Sequence, residues 1–179
     1  LPQTLSLKNP EWAYKPGGYL RYEADYLLIC DNLLDFSHLS YVHEKTLGGS
    51  PNIAEARPVI ERMSNGLRVT RDVRYTVPAP YHARLGGFTP ETEHSTHYFF
   101  MQAHGFRQDD ATVSEAIYRS LIQAFEEDRR IIEAQQRLIL SRGPAPMQPI
   151  PADAALGQFR WLVKQRLDAE QARPIARSA

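Results

Sequence analysis

Two histidines and several acidic or amide side chains lie close together in one short stretch of the sequence. Residues 31–43 read DNLLDFSHLSYVH, and on a helix Asn32, Asp35 and His38 would share a face because they are three residues apart. His43 follows His38 by five residues, which is about 140° further round a helix. The two imidazoles can therefore meet only if the helix ends or distorts between them. The pair either binds a metal or consists of polar residues on a half-buried helix.

A carboxylate further along the chain is the third candidate ligand. In the segment 110–141, steps of about 100° per residue place Leu121, Phe125 and Ile132 on one apolar stripe. Asp128 falls inside that stripe, whereas its charged neighbours fall on the opposite face; these are Glu126, Glu127, Arg130 and Glu133. A buried carboxylate is costly unless pairing or metal ligation offsets the cost. Asp128 is therefore predicted to be a metal ligand, with a buried salt bridge or a capping contact as the alternatives.

Two imidazoles and one carboxylate form a recognised ligand set. Such a set binds Fe(II) on one face and leaves other coordination positions open, which is what O₂ and a nearby substrate require. Zinc uses the same side chains, so the residue pattern does not separate the two metals.

The elements that would position these residues are an antiparallel sheet and a few helices. Strands are predicted at 18–29 and 94–106, and a hairpin at 53–77 turns at Ser64-Asn65-Gly66. Helices are predicted at 31–43, at 110–141 and at 152–171, and the Pro-rich segment 143–151 separates the last two. The pattern predicts an α+β domain with helices segregated from a mostly antiparallel sheet.

The amino-acid composition limits which kinds of binding partner the protein is expected to have. Lys plus Arg and Asp plus Glu number 21 each, so no excess charge favours nucleic acid or an anionic membrane. Apolar runs fall short of the roughly 20 residues that a membrane-spanning helix needs. Cys30 is the single cysteine, which excludes an internal disulfide and fits a reducing cytoplasm. The chain begins at Leu1, and we expect it to be part of a longer protein.

The motif in residues 32–43 resembles the mononuclear iron motif of Rieske-type aromatic oxygenases, whose core is Asp-x-x-His-x-x-x-x-His. The segments TPETEHSTHYFF at 89–100 and EDRRIIEAQQ at 127–136 resemble the vanillate O-demethylase and dicamba monooxygenase branch. The resemblance implies a helix-grip fold and a head-to-tail homotrimer. It also implies an electron-donating reductase or ferredoxin and an aromatic small-molecule substrate.

Specific roles follow from that resemblance. His38, His43 and Asp128 match the Fe(II) ligands. Asp35 matches a carboxylate that links a ligating histidine to a Rieske-cluster histidine of a neighbouring subunit. Asn32 matches a residue near the iron, although simple helix capping explains it equally well. His97 is a candidate substrate-binding residue, although a structural role fits a lone strand histidine better.

The chain also departs from the family pattern. A Rieske [2Fe-2S] centre needs two cysteines and two histidines, so Cys30 alone cannot supply it, and the cluster is expected in the full-length protein. The middle is shortened near 86–89, where relatives carry further residues. We divide the chain into a catalytic domain at 1–142, a linker at 143–151, and a helix and tail of the same domain at 152–179.

The expected reaction is O-demethylation or hydroxylation of an aromatic acid, which consumes O₂ and electrons from NADH. Without its electron source this chain is expected to be inactive in turnover. The alternative function is a helix-grip module that binds a hydrophobic ligand without redox chemistry, and a zinc hydrolase is a third, less favoured hypothesis.

Overall fold

The structure, a computed structural model, describes residues 12–47, 51–64, 66–72, 83–143, 145–146 and 148–172. Its strands are β1 Ala13–Tyr22, β2 Val59–Met63, β3 Gly66–Thr70, β4 Ala83–Thr92 and β5 Ser95–His104. Its helices are α1 Tyr26–Leu34, α2 Leu39–Val42, α3 Pro51–Glu55, α4 Ala111–Arg142 and α5 Ala154–Gln171. Two 3₁₀ turns, Phe36–His38 and Pro151–Asp153, precede α2 and α5.

The main sheet of the described residues has three antiparallel strands in the order β1-β5-β4. Side chains alternate along β5: Tyr98 and Phe100 are each 4% exposed, whereas Phe99 is 52% exposed. The buried face packs on α4, where the Phe125 ring lies 5.2 Å from Tyr98 and 4.7 Å from Phe100, measured between ring centroids. The predicted strand at 94–106 and the α+β class are confirmed.

The long helix α4 begins where the sequence predicts. The Asp110 carboxylate accepts hydrogen bonds from the backbone N–H groups of Thr112 and Val113, which satisfies two of the free donors at a helix start. The buried residues of α4 recur at helical spacing, as Ile117, Leu121, Ala124, Phe125, Asp128, Ile132 and Gln136. The carboxylate of Asp128 therefore lies in the interior, as the periodicity predicts.

The strand predicted at 18–29 is correct only in its first half. β1 ends at Tyr22, and α1 begins at Tyr26. The cause is local, because the Asp25 carboxylate accepts a hydrogen bond from the Leu27 N–H at 2.7 Å and caps a helix there. In that helix Leu28, Ile29 and Cys30 are all buried, so their apolar run belongs to a helix packed in the core.

The hairpin predicted at 53–77 is shorter than expected. Residues 51–55 form α3, with Pro51 in the first turn, where its missing N–H costs nothing. β2 and β3 pair antiparallel from Val59 opposite Thr70 to Met63 opposite Gly66, so the turn is placed correctly. Asn65 and residues 73–77 lie outside the described residues.

The last helix, α5, packs against α1. Leu156 is buried, and the Arg160 guanidinium bonds both carboxylate oxygens of Asp31, with Nε at 3.0 and 3.2 Å. The predicted helix at 152–171 is confirmed to within two residues. Among the helices described, none combines the length and the apolar character that crossing a bilayer requires.

Candidate metal centre

The helical stretch is interrupted at Asp35, between α1 and the 3₁₀ turn that precedes α2, and this break shapes the site. Asp35 has an extended backbone (φ −87°, ψ 90°), and its carboxylate accepts a hydrogen bond from the Ser37 N–H at 2.8 Å. This contact ends α1 and starts the 3₁₀ turn that leads into α2. His38 closes that turn, and His43 caps the C-terminus of α2. The helix distortion that two converging imidazoles require is therefore present.

The three predicted metal ligands meet at one point. The Nε2 atoms of His38 and His43 lie 3.5 and 3.0 Å from Oδ1 of Asp128. One donor atom from each residue lies within 4.8 Å of the others. The side chains of Asp128 and His43 are 5% and 1% exposed, while His38 is 15% exposed. The set therefore has one partly open side.

The donor atoms of the three side chains are arranged better for binding a metal ion than for hydrogen bonding to one another. Nε2 of His43 is buried and has no hydrogen-bond partner among the described residues, because its approach to Asp128 does not have hydrogen-bond geometry. A buried polar atom left unpaired costs about 1–3 kcal/mol. Coordination to a cation would offset that cost, and two imidazole nitrogens with one carboxylate oxygen suit Fe(II) or Zn(II).

The two other residues of the motif take different positions. Asn32 donates from Nδ2 to Oδ1 of Asp128 at 3.0 Å, so it contacts a candidate ligand directly. The Asp35 carboxylate bonds the N–H and hydroxyl of Ser37, and it is the Asp35 backbone carbonyl that meets Nδ1 of His38. The contact that orients His38 therefore comes from the backbone, and the link between the Asp35 carboxylate and a Rieske-cluster histidine stays a prediction.

Glu127 is a residue of the site that the sequence did not indicate. Its Oε2 lies 2.9 Å from Nδ1 of His43 and accepts the Thr46 hydroxyl at 2.7 Å. The periodicity placed Glu127 on the outer face of α4, but the turn after His43 folds over the edge of that helix. Helical periodicity describes the faces of one helix and says nothing of what another segment places against it, so no signal in the sequence predicts such a contact.

The electrostatics of His43 reflect its two acidic neighbours. Burial lowers the pKa of His43, but the carboxylates of Asp128 and Glu127 have the larger combined effect and raise it above its ordinary value. Burial raises the pKa of Glu127, and its bonds to His43 and Thr46 outweigh this and lower it. The first shift favours a positively charged imidazole, and the second favours a negative carboxylate beside it.

A small cleft of about 10 Å³, room for roughly one water molecule, adjoins the three ligands. Its walls combine the polar side chains described above with apolar ones, and the lining residues are Asn32, Leu33, Phe36, His38, Leu39, His43, Leu47, Phe125 and Asp128. Hydrophobic side chains thus stand beside the candidate metal ligands in the lining of this cleft.

His97 lies away from this cleft. It is on the face of β5 opposite Tyr98 and Phe100, and its Nδ1 lies 2.8 Å from the Tyr19 hydroxyl. The structure does not bring His97 to the candidate ligands. Its role in substrate binding stays a prediction that its position does not support.

A family model for the vanillate O-demethylase oxygenase C-terminal domain matches residues 22–89 and 83–169. The chain belongs to this family. The predicted resemblance is thereby confirmed, and the chain is a catalytic domain of the Rieske oxygenase type.

Individual relatives agree with the family. The chain is 37% identical to the iron-sulfur subunit of the toluene-4-sulfonate monooxygenase system of Comamonas testosteroni, over 90% of this chain and 61% of that protein. It is 29% identical to a vanillate O-demethylase oxygenase subunit of Pseudomonas, over 96% of this chain and 68% of that protein. A crystal structure of dicamba monooxygenase with 3,6-dichlorosalicylic acid has a TM-score of 0.74 at 21% identity, over 92% of this chain and 62% of that one. The predicted helix-grip fold is confirmed by this similarity.

This chain is shorter than the relatives that it matches. The chain spans about three fifths of the toluenesulfonate relative, 61% by length. That alignment is 214 positions long although the chain has 179 residues, so the relative carries residues opposite gaps in this chain. The two family-model segments overlap at 83–89, and the shortened middle near 86–89 stays a prediction.

Proposed function

We propose that this domain holds the mononuclear Fe(II) of an oxygenase component, with His38, His43 and Asp128 as ligands. The observation that carries the proposal is the convergence of these three side chains, with a buried Nε2 of His43 that lacks a hydrogen-bond partner among the described residues. Fe(II) bound by two histidines and one carboxylate supplies O₂ activation, because coordination positions stay open.

The other residues of the site would prepare the ligands and the substrate. Asn32 donates to Oδ1 of Asp128 and restrains the carboxylate, and the Asp35 carbonyl orients His38. Phe125 and Leu39 make part of the cleft lining beside the ligands apolar. Because Asp128 and His43 are buried, bulk water has little access to that side of the ligand set.

The proposed reaction is oxygenation of an aromatic acid. In the balanced form, a substrate C–H bond, O₂, NADH and a proton give a C–OH group, NAD⁺ and water. When the carbon is an aryl-ether methyl group, the product separates into a phenol and formaldehyde, which is an O-demethylation. Relatives named for toluene-4-sulfonate and for vanillate support an aromatic sulfonate or carboxylate as substrate.

Electrons would come from outside the present chain. We propose a cytoplasmic NADH-dependent reductase or ferredoxin, and a Rieske [2Fe-2S] cluster in the full-length protein, since Cys30 alone cannot bind one. In a head-to-tail homotrimer, the Asp35 carboxylate would link this site to the cluster of a neighbouring subunit. The chain alone is expected to bind Fe(II) without turning over.

The decisive experiment measures Fe(II) content and affinity under anaerobic conditions. We expect one Fe(II) per chain in the parent, and its loss in His38→Ala, His43→Ala and Asp128→Ala. The exposed His94→Ala and the neighbouring Glu126→Ala are matched controls that should retain the metal. Circular dichroism checks that each variant is folded.

Each contrary result has a definite meaning. A folded parent that binds no metal would contradict the proposal and favour a ligand-binding module. Binding of Zn(II) but not Fe(II) would favour the hydrolase hypothesis. Equal Fe(II) affinity in the parent and the three ligand variants would exclude these residues as the ligands.

A further inference from the structure

We infer that Glu127 is a positioning residue, which fixes the tautomer and ring orientation of His43 so that Nε2 is presented to the metal. The inference rests on the proposed metal site and adds a residue that neither the motif nor the helix periodicity indicated. Glu127 does not meet the metal itself, because its carboxylate lies on the far side of the imidazole.

The contact is built from two consecutive residues of α4. Asp128 projects into the interior and lies 3.0 Å from Nε2 of His43, while Glu127 stays at the helix edge and lies 2.9 Å from Nδ1. The two carboxylates thus lie beside opposite nitrogens of one ring, and only the Glu127 carboxylate makes a hydrogen bond to it. A neutral imidazole has one N–H group, and an ionised carboxylate only accepts hydrogen bonds. Glu127 therefore favours the proton on Nδ1, which leaves the lone pair of Nε2 free to bind a metal.

The Glu127 carboxylate is itself held in place. Thr46 donates its hydroxyl to Oε2 at 2.7 Å, and Gln123 Nε2 lies 3.4 Å from Oε1. Thr46 is fixed in turn, because its N–H donates to the His43 carbonyl. A hydrogen-bonded network therefore connects the His43 ring, the turn that follows His43 and the edge of α4. A merely solvated surface glutamate would not need this support.

The two candidate histidine ligands are held differently. Nδ1 of His38 meets a neutral backbone carbonyl, whereas Nδ1 of His43 meets a charged carboxylate. Hydrogen bonds to a charged acceptor are stronger, and a carboxylate behind a ligating histidine raises its basicity as a ligand. His43 is thus expected to be the better oriented and more strongly donating of the two imidazoles.

The test compares Glu127→Ala, Glu127→Gln and Thr46→Val with the parent and with Glu126→Gln as the matched control. The first readout is Fe(II) affinity under anaerobic conditions. The second is the tautomer of His43 in the Zn(II)-loaded chain, from ¹⁵N chemical shifts of the imidazole nitrogens, with His43→Ala used to assign the signals.

We expect Glu127→Ala to lower Fe(II) affinity by roughly 10- to 100-fold. It should also broaden or shift the Nδ1–H signal of His43 while that of His38 stays unchanged. Glu127→Gln retains a carbonyl acceptor and should lose less affinity, and Thr46→Val should lose least. Glu126→Gln should behave as the parent.

The outcomes separate this inference from the proposed function. If the parent binds no Fe(II), the proposed site fails. If the parent binds Fe(II), but Glu127→Ala and Glu127→Gln bind equally well with an unchanged His43 signal, the positioning role is wrong and the site stands. If Glu127→Ala does not fold, the graded losses in Glu127→Gln and Thr46→Val decide the question.

Discussion

At the scale of single residues, the position of each side chain on its helix decides whether it reaches the interior and which group of the site it contacts. Asp128 stands out in the sequence because it falls in an apolar stripe, and the structure places its carboxylate beside two imidazoles and the Asn32 amide. Glu127, its neighbour in sequence, differs by one step of about 100° round the helix. That step moves its carboxylate from the interior to the edge, where it meets the other nitrogen of His43. Adjacent acids on one helix can thus act on opposite sides of one ligand.

Close packing between β1 and β5 gives a prediction at this scale. A Cβ atom on Gly18 would overlap the Phe100 ring, which packs on Phe125 in the core. Gly18→Ala should lower the free energy of unfolding by about 1–3 kcal/mol, because a buried ring has to shift. Gly157→Ala is the matched control: its Cβ meets open space on α5, and the change should raise stability by about 0.5–1 kcal/mol. Urea unfolding measures both variants, and a Gly18→Ala chain as stable as the parent would contradict the packing argument.

At the scale of helices and strands, the sequence was most informative where one pattern continues over many residues. β5 alternates between buried and less buried residues from Thr96 to Gln102, and the buried residues of α4 recur at helical spacing, so the type of each element could be predicted. α1 was missed because Tyr26, Leu28 and Ile29 suit a strand as well as a helix, and the Asp25 cap decides between them. The break at Asp35 depends on one side chain bonding to the Ser37 N–H, a contact that periodicity does not reveal.

The start of α4 gives a prediction that depends on pH. Backbone N–H donation from Val113 and Thr112, together with the nearby Arg107, holds the pKa of Asp110 below its ordinary value. A carboxyl group whose pKa is lower in the folded chain than in the unfolded chain stabilises the fold. The stabilisation is fully present above the unfolded pKa of about 3.9, and it is lost as pH falls through the folded pKa. Asp110→Ala should therefore lower Tm at pH 7, and the difference from the parent should narrow below about pH 4. Asp110→Asn keeps an acceptor oxygen, so its Tm at pH 7 should fall between those of the parent and Asp110→Ala. A Tm difference between the parent and Asp110→Ala that stays constant from pH 7 to pH 3 would refute the ionic contribution.

At the scale of the whole molecule, the site and the domain depend on contacts between distant parts of the chain. Arg160 on α5 bonds Asp31 on α1, and Asn32, the next residue, bonds Asp128 on α4. Helix α1 thus connects the C-terminal helix to the candidate metal ligands. Neither pairing could be predicted from sequence periodicity, because that pattern describes one element at a time. The residue pattern and the family resemblance both indicated the three ligands, and the structure adds the contacts that hold them.

The candidate ligands come from two separate regions, so metal binding should stabilise the domain as a whole. His38 and His43 lie between α1 and α3, whereas Asp128 lies on α4, and an ion bound to all three would tie these regions together. A ligand that binds only the folded state raises the free energy of unfolding by about 2.7 kcal/mol when its free concentration is one hundred times Kd. Thermal unfolding under anaerobic Fe(II) should show a higher Tm that returns to the metal-free value on chelation. Mg²⁺, which prefers an all-oxygen octahedral site, is the control and should produce no such shift. The His43→Ala chain should also show none. An equal rise of Tm in that variant would mean that Fe(II) binds elsewhere, since the variant lacks the buried nitrogen that the ion is proposed to satisfy.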